Sequence, residues 1–115
     1  MITGLHEVTV NVSDLPRAIA FYGGLLNLRR VSESPDGCVF DLGGLRLHVR
    51  TGARRRAADA RSGVVLTLRV RDVFSVVAHL RDEGVTFLGD IVHADGGNGA
   101  LFADPDGNVF RLLQP

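Results

Sequence analysis

A chain of 115 residues, 45% of them apolar and 23% charged, has globular composition and the length of one ordinary domain rather than two. Its 13 basic and 13 acidic residues cancel, so no net field draws it to nucleic acid or an anionic membrane, and no apolar run approaches the roughly 20 residues of a spanning helix. A lone cysteine, Cys38, excludes an internal disulfide and a cysteine-built zinc site.

From Leu5 to Val12 the chain alternates Val8, Val10 and Val12 with Glu7, Thr9 and Asn11, the period-two pattern of a half-buried strand. No charged stretch followed by an apolar run precedes it, so the expectation is a soluble, cytoplasmic protein without a signal peptide. Ser13 and Asp14 offer helix N-cap chemistry, and Pro16 falls in the first turn, where its missing N–H costs little. Ala18, Ile19, Tyr22, Leu25 and Leu26 follow at helical spacing, and Asn27 suits the left-handed residue that ends a helix. Gly23 and Gly24 each weaken the last turn by about 1 kcal/mol relative to Ala, which predicts a fraying end.

Three strands are predicted next, over Leu28 to Val31, Cys38 to Leu42 and Leu45 to Arg50, separated by the turn signals Pro35-Asp36-Gly37 and Gly43-Gly44. In the third, Leu45, Leu47 and Val49 oppose Arg46, His48 and Arg50. Arg50, Arg54, Arg55, Arg56 and Arg61 then form a basic stretch. It reads as a solvated linker, with an acidic partner as the alternative, because Ala, Gly and Asp interrupt it and no aromatics interleave it.

The same order then restarts. Val64, Leu66, Leu68 and Val70 alternate with Val65, Thr67 and Arg69; Asp72 can cap a helix carrying Val73, Val76, Val77 and Leu80, with Gly84 as terminator. Strands are predicted over Val85 to Leu88, Ala100 to Ala103 and Asn108 to Leu113, with Asp104-Pro105-Asp106-Gly107 as the last turn. Gly96-Gly97-Asn98-Gly99 reads as a flexible hairpin tip, lacking the lysine and hydroxyl of a phosphate loop.

The halves form an internal repeat: Val12-Ser13-Asp14 matches Val70-Arg71-Asp72 at an offset of 58, and Asp41-Leu42-Gly43-Gly44 matches Asp104-Pro105-Asp106-Gly107 at 63. The fold class is α+β, one domain over 1–115 made of two β-α-β-β-β modules, about 1–50 and 63–115, with a linker over 51–62. A helix covering one face of each sheet leaves the other free to line a cavity. The apolar face, with Val8, Val10, Val12, Leu45, Leu47, Val49, Leu66, Leu68, Phe102, Phe110 and Leu112, belongs to the core. The opposite face carries Glu7, Thr9, Asn11, Val39, Asp41, Arg46, His48, Val65, Thr67, Arg69, Leu101, Val109, Arg111 and Leu113. A wet surface would account for its polar residues. The apolar ones interspersed among them fit a small-molecule pocket better.

Val12 to Tyr22 followed by Leu25-Leu26, together with Asp104-Pro105-Asp106-Gly107-Asn108, resembles the first strand-to-helix segment and the last hairpin of the vicinal oxygen chelate superfamily, which includes glyoxalases, bleomycin-resistance proteins and dioxygenases. The opening half, from Met1-Ile2-Thr3-Gly4-Leu5 onward, is especially similar to the fosfomycin-resistance thiol transferases. The resemblance implies paired modules around a cleft, a homodimer sharing its clefts, and in the family's enzymes a divalent cation held by the first and last strands of each module. Those four positions fall on Glu7, His48, Val65 and Arg111. Val65 has no donor atom, and Arg111 places a permanent cation where the metal would sit. The expectation is therefore no metal and no cofactor, with Glu7 and Arg111 able to pair in the vacated space. The fosfomycin set is also incomplete: Thr9 matches, whereas the late-loop positions hold Ile91, Asp95 and Leu101.

The function this implies is binding or sequestration of a small organic molecule, a drug or natural product, by Glu7, Thr9, Asn11, Val39, Arg46, His48, Val65, Thr67, Arg69, Leu101 and Arg111. The alternative is a metal-free isomerase or lyase using His48, Glu7 or Asp41 as acid or base on a small organic acid or polyketide-like substrate. A third reading is a purely structural subunit. Cys38 reads as a small buried hydrophobe, and His6, His79 and His93 belong to no triad.

Overall fold

The computed structural model describes residues 1–52, 65–94 and 96–115. Val64, Asp95, Arg54, Arg55, Arg56 and Arg61 lie outside them, and with them most of the predicted linker. The chain divides into two compact units, Met1–Arg56 and Ala57–Pro115.

The first unit runs β1 (Val8–Asn11), α1 (Leu15–Ile19), β2 (Arg29–Ser34), β3 (Gly37–Leu42) and β4 (Leu45–Arg50). Its sheet has the order β1-β4-β3-β2, with β1 parallel to β4 and the other pairs antiparallel. Asp14 caps α1 as predicted, accepting a hydrogen bond from the Arg17 amide at 3.0 Å. The helix does not fray at its glycines. It widens into a π-helical stretch, Ala20–Leu25, closed by i→i−5 bonding such as Leu26 N–H to the Phe21 carbonyl at 2.9 Å. A Cβ on Gly23 would lie 3.2 Å from the Phe40 ring, so this glycine lets the helix approach the sheet. Asn27 ends the segment in the predicted left-handed conformation, at φ 56°. Tyr22, Phe40, Leu47 and Val49 are buried, with the Tyr22 and Phe40 rings 6.1 Å apart. Cys38 is buried on the same side, and that burial raises its thiol pKa.

The second unit repeats this plan: β5 (Leu66–Arg69), α2 (Val73–Asp82), β6 (Thr86–Phe87), β7 (Val92–Ala94), β8 (Gly97–Ala103) and β9 (Val109–Gln114). The sheet order is β5-β9-β8-β6, with β5 parallel to β9 and β7 also paired to β8. Asp72 caps α2 through the Phe74 and Ser75 amides, and Val73, Val77 and Leu80 turn inward. Phe102 stacks on Phe110 at 5.4 Å and meets Phe87 at 5.9 Å. The last turn is built around buried Asp104, whose carboxylate accepts from the Asp106 and Asn108 amides and from the Asn108 side chain at 2.8 to 2.9 Å.

Several boundaries differ from expectation. The first strand begins at Val8 rather than Leu5. Gly97-Asn98-Gly99 is not a flexible tip but the start of β8, paired with β7, the strand that carries His93. In the second unit β6 and β7 pair with opposite ends of β8, the side that β2 lines as one strand in the first unit. Gly37 is a strand residue too, leaving Pro35-Asp36 as the turn. Val8, Leu45, Leu66 and Leu68 are only half buried, because they lie on an edge strand or at a strand end.

The alternation makes a direct test possible. Phe102→Ala should cost about 3–5 kcal/mol of unfolding free energy, whereas Leu101→Ala, one residue along and on the opposite face, should stay within about 0.5 kcal/mol. Urea denaturation of both variants measures the difference, and equal losses would contradict the face assignment.

Candidate functional site

On the open face of the first sheet, strand register aligns side chains in rows. Arg46, Asp41 and Arg29 form one; Thr9, His48, Val39 and Ser32 form the next; Asn11, Arg50, Gly37 and Ser34 form the third. A β-bulge between Arg30 and Ser32 shifts the phase of β2, bringing Ser32 and Ser34 into register with Val39 and Gly37. Without that extra residue Val31 and Glu33 would take those places.

The chemistry of this face centres on His48. Its Nδ1 lies 3.1 Å from Glu7 Oε2, and the Thr9 hydroxyl donates to the same oxygen at 3.4 Å. His6 Nε2 stands 3.9 Å from the other Glu7 oxygen. The hydrogen bond from His48 holds the Glu7 carboxyl below the usual glutamate value. Partial desolvation opposes that shift, while the positive charge of His48 and His6 and the Thr9 hydroxyl add to it. An ionised Glu7 accepts, so the proton between them sits on His48 Nδ1, and whenever the ring is neutral its Nε2 is an acceptor. Asp41 is otherwise engaged: it accepts from the Gly44 amide at 3.0 Å and from Arg29 at 3.4 Å, which anchors the β3–β4 turn.

Beside His48 the sheet forms a concavity of about 190 Å³, lined by Ser32, Glu33, Ser34, Gly37, Val39 and His48. Val39 and His48 are expected binding residues. The serines, Glu33 and Gly37 are not among them. Their signal was a strand longer than Leu28 to Val31, and the bulge hides the alternation that would have revealed it.

The open face of the second sheet carries the equivalent positions with different chemistry. Thr67 stands opposite Arg111, as Thr9 stands opposite His48, and Leu101 takes the place of Val39. Arg69, Leu113 and Gly99 form the next row. Thr67, Arg69 and Leu101 are exposed and Arg111 is half buried. Val65, just before β5, is also exposed. The two sheets thus bring the predicted residues together as two separate sets, Glu7, Thr9, Asn11, Val39, Arg46 and His48 on one and Val65, Thr67, Arg69, Leu101 and Arg111 on the other.

Two copies of a β-α-β-β-β unit, each with a helix-covered and an open sheet face, define the vicinal oxygen chelate fold. The chain belongs to the Glyoxalase/Bleomycin resistance protein/Dioxygenase superfamily, whose family model matches residues 4–112. It is 27% identical over 115 residues to the metallothiol transferase FosB of Bacillus licheniformis, covering 96% of this chain and 75% of that one. With FosB of Staphylococcus saprophyticus it shares 28% over 116 residues, 97% and 77% of the two chains. Among solved structures, the fosfomycin resistance protein FosX of Listeria monocytogenes superposes with a TM-score of 0.80 at 22% identity, over 98% of this chain and 93% of that one. FosX of Mesorhizobium loti gives 0.77 at 22% identity, over 100% and 94%.

The donor set does not fit the cation the fold family implies. Of the four expected ligand positions, Glu7 and His48 are bonded to each other, Val65 offers hydrocarbon and Arg111 a permanent positive charge. Among the described residues, no group of three or more His, Cys, Asp or Glu side chains could hold a metal ion.

The Glu7–His48 bond predicts a pH dependence. A carboxyl with a depressed folded-state pKa adds stability above its unfolded value and loses that contribution as pH falls through the folded value. In a carbon-13 NMR titration Glu7 should have its midpoint below an ordinary glutamate, and His48→Phe should move it back up. A Glu7 midpoint unaffected by the substitution would show that the bond is not formed in solution.

Proposed function

We propose that this protein binds a small organic molecule without a metal ion and holds it unchanged, in the manner of the bleomycin-resistance branch of its family. The observation that carries this reading is the chemistry at the four chelating positions, where a bonded Glu7–His48 pair, Val65 and Arg111 replace a donor set. The open faces supply what a ligand needs instead, hydroxyls, an imidazole and guanidinium groups interspersed with Val39 and Leu101. The protein acts as a homodimer in the cytoplasm under this proposal. No helix among the described residues is long and apolar enough to cross a membrane.

A second reading, a metal-free isomerase or lyase, is favoured by one feature. An imidazole whose Nδ1–H is held by a carboxylate presents its other nitrogen as a base, the arrangement that proton abstraction requires. The FosB relatives are named as metallothiol transferases, and transfer of that kind is what the Val65 and Arg111 positions argue against here.

Metal analysis of purified protein, followed by a thermal-shift screen with divalent metals, flavins, coenzyme A esters and aromatic antibiotics, tests the proposal. The expected result is no stoichiometric metal and a ligand that adds about 2.7 kcal/mol of stability at 100 times its dissociation constant. Recovery of the ligand unchanged supports sequestration, and recovery of product supports the enzyme. Stoichiometric Mn, Ni, Fe or Zn would overturn both.

A further inference from the structure

Gly37 lies beneath His48 without a conformational reason to be glycine. Its φ falls outside the left-handed region, so its backbone would accept alanine. Space explains the residue instead: a Cβ there would sit 2.7 Å from His48 Nε2 and 3.3 Å from the Val49 carbonyl oxygen. The second unit repeats the device. Gly99, again outside the left-handed region, lies beneath Arg111, where a Cβ would be 3.0 Å from the guanidinium Nε.

What His48 overlooks from this seat includes the hydroxyls of Ser32 and Ser34. With Nδ1–H turned to Glu7, the neutral ring places its Nε2 lone pair beside Gly37. The Ser34 hydroxyl donates to Asp36 Oδ1 at 3.1 Å, so lone pairs are what its oxygen offers a ligand. Glu33 belongs to the lining through its place in β2, but it pairs with Cys38 on the core side, where Arg30 holds its carboxylate at 3.3 Å. Ser32 can donate or accept, and Gly37 and Val39 add no polar side-chain atom.

We propose that this concavity is a subsite for a hydrogen-bond-donating group of the ligand, a hydroxyl or an ammonium, and that Gly37 is the positioning residue that opens it. The inference rests on the small-molecule-binding reading above. At about 190 Å³ the concavity is smaller than the roughly 300–1,000 Å³ of a whole ligand pocket, so it takes one end of the ligand rather than all of it. A carboxylate-bearing end would meet lone pairs with lone pairs. An alanine at position 37 would press the imidazole away from the position it now holds.

Isotope-labelled protein titrated with benzylamine, benzyl alcohol and benzoate tests this by NMR. The two donor probes should saturably shift the resonances of Ser32, Ser34, Val39 and the His48 ring, and benzoate should bind there at least about tenfold more weakly. Ser34→Ala, which removes one acceptor, should weaken both donor probes by about twofold to tenfold. Gly37→Ala should abolish the donor-probe shifts and alter the nitrogen-15 pattern of the His48 ring. Should that variant fail to fold, Ser34→Ala in the native Gly37 background carries the same test. Benzoate binding as tightly as benzylamine, saturation without shifts at these residues, or unchanged affinity in Ser34→Ala would overturn the subsite. A screened ligand whose contacts all fall elsewhere would overturn it while leaving metal-free binding intact. Stoichiometric metal beside an intact donor preference would do the reverse.

Discussion

Each sheet has one face closed by a helix, and that constraint decides what every strand residue in the protein does. A strand turns successive side chains to opposite faces, so once a helix covers one side each residue is committed either to the core or to the open face. Phe102 and Leu101 are neighbours in sequence, yet one is fully buried against Phe110 and the other is exposed. The helices themselves are set by local chemistry, with Asp14 and Asp72 capping each at its start. Core and chemistry therefore occupy different faces: His48 and Arg111 alternate with Leu47, Val49, Phe110 and Leu112, which are buried on the other side.

That separation explains how one architecture carries different chemistry in its two halves. In each unit a threonine from the first strand stands opposite the central residue of the last strand, an apolar side chain flanks that residue on the next strand, and a glycine lies diagonally beneath it. The first unit fills the frame with Thr9, Val39, Gly37 and His48, the second with Thr67, Leu101, Gly99 and Arg111. The frame is the same, and only the functional group placed in it differs. The first face carries an imidazole bonded to a carboxylate, whereas a guanidinium gives the second a fixed cation.

Much of this was legible in the sequence because it rests on short-range rules. Alternation over Leu45 to Arg50 marks a strand that the structure reproduces residue for residue, and Asn27 and Gly84 end their helices in the left-handed backbone expected of them. The repeat follows from the matched Asp14 and Asp72 caps and the matched last turns, while the family reading rests on the resemblance of Val12 to Tyr22 and Asp104 to Asn108 to its motifs. What could not be read depends on contacts between strands. The bulge at β2 reverses the faces of Val31 through Ser34, so the serines of the concavity alternate out of phase with the run preceding them. Gly37 and Gly97 look like turn residues because glycine commonly is one, and only the neighbouring strand shows why each is in a ladder. The engagement of Asp41 by Gly44 and Arg29 was equally invisible, since it depends on register and on how the β3–β4 turn closes.

The departure from the chelating pattern is more than a loss of ligands. A vacated metal site of carboxylates and imidazoles would leave like charges and unpartnered donors close together, an arrangement that is costly unless water fills it. Here the remaining acid and base satisfy one another, since Glu7 accepts from His48 and its carboxyl is held below the usual value by that contact. The histidine is in turn kept in a defined orientation, with one nitrogen committed and the other presented above Gly37. A group ordered in this way loses little freedom when a ligand arrives, which is the condition under which a single hydrogen bond contributes to affinity. Under the proposed binding function, recognition on this face would therefore rest on groups already held in place, and a ligand would be selected by the donors it brings.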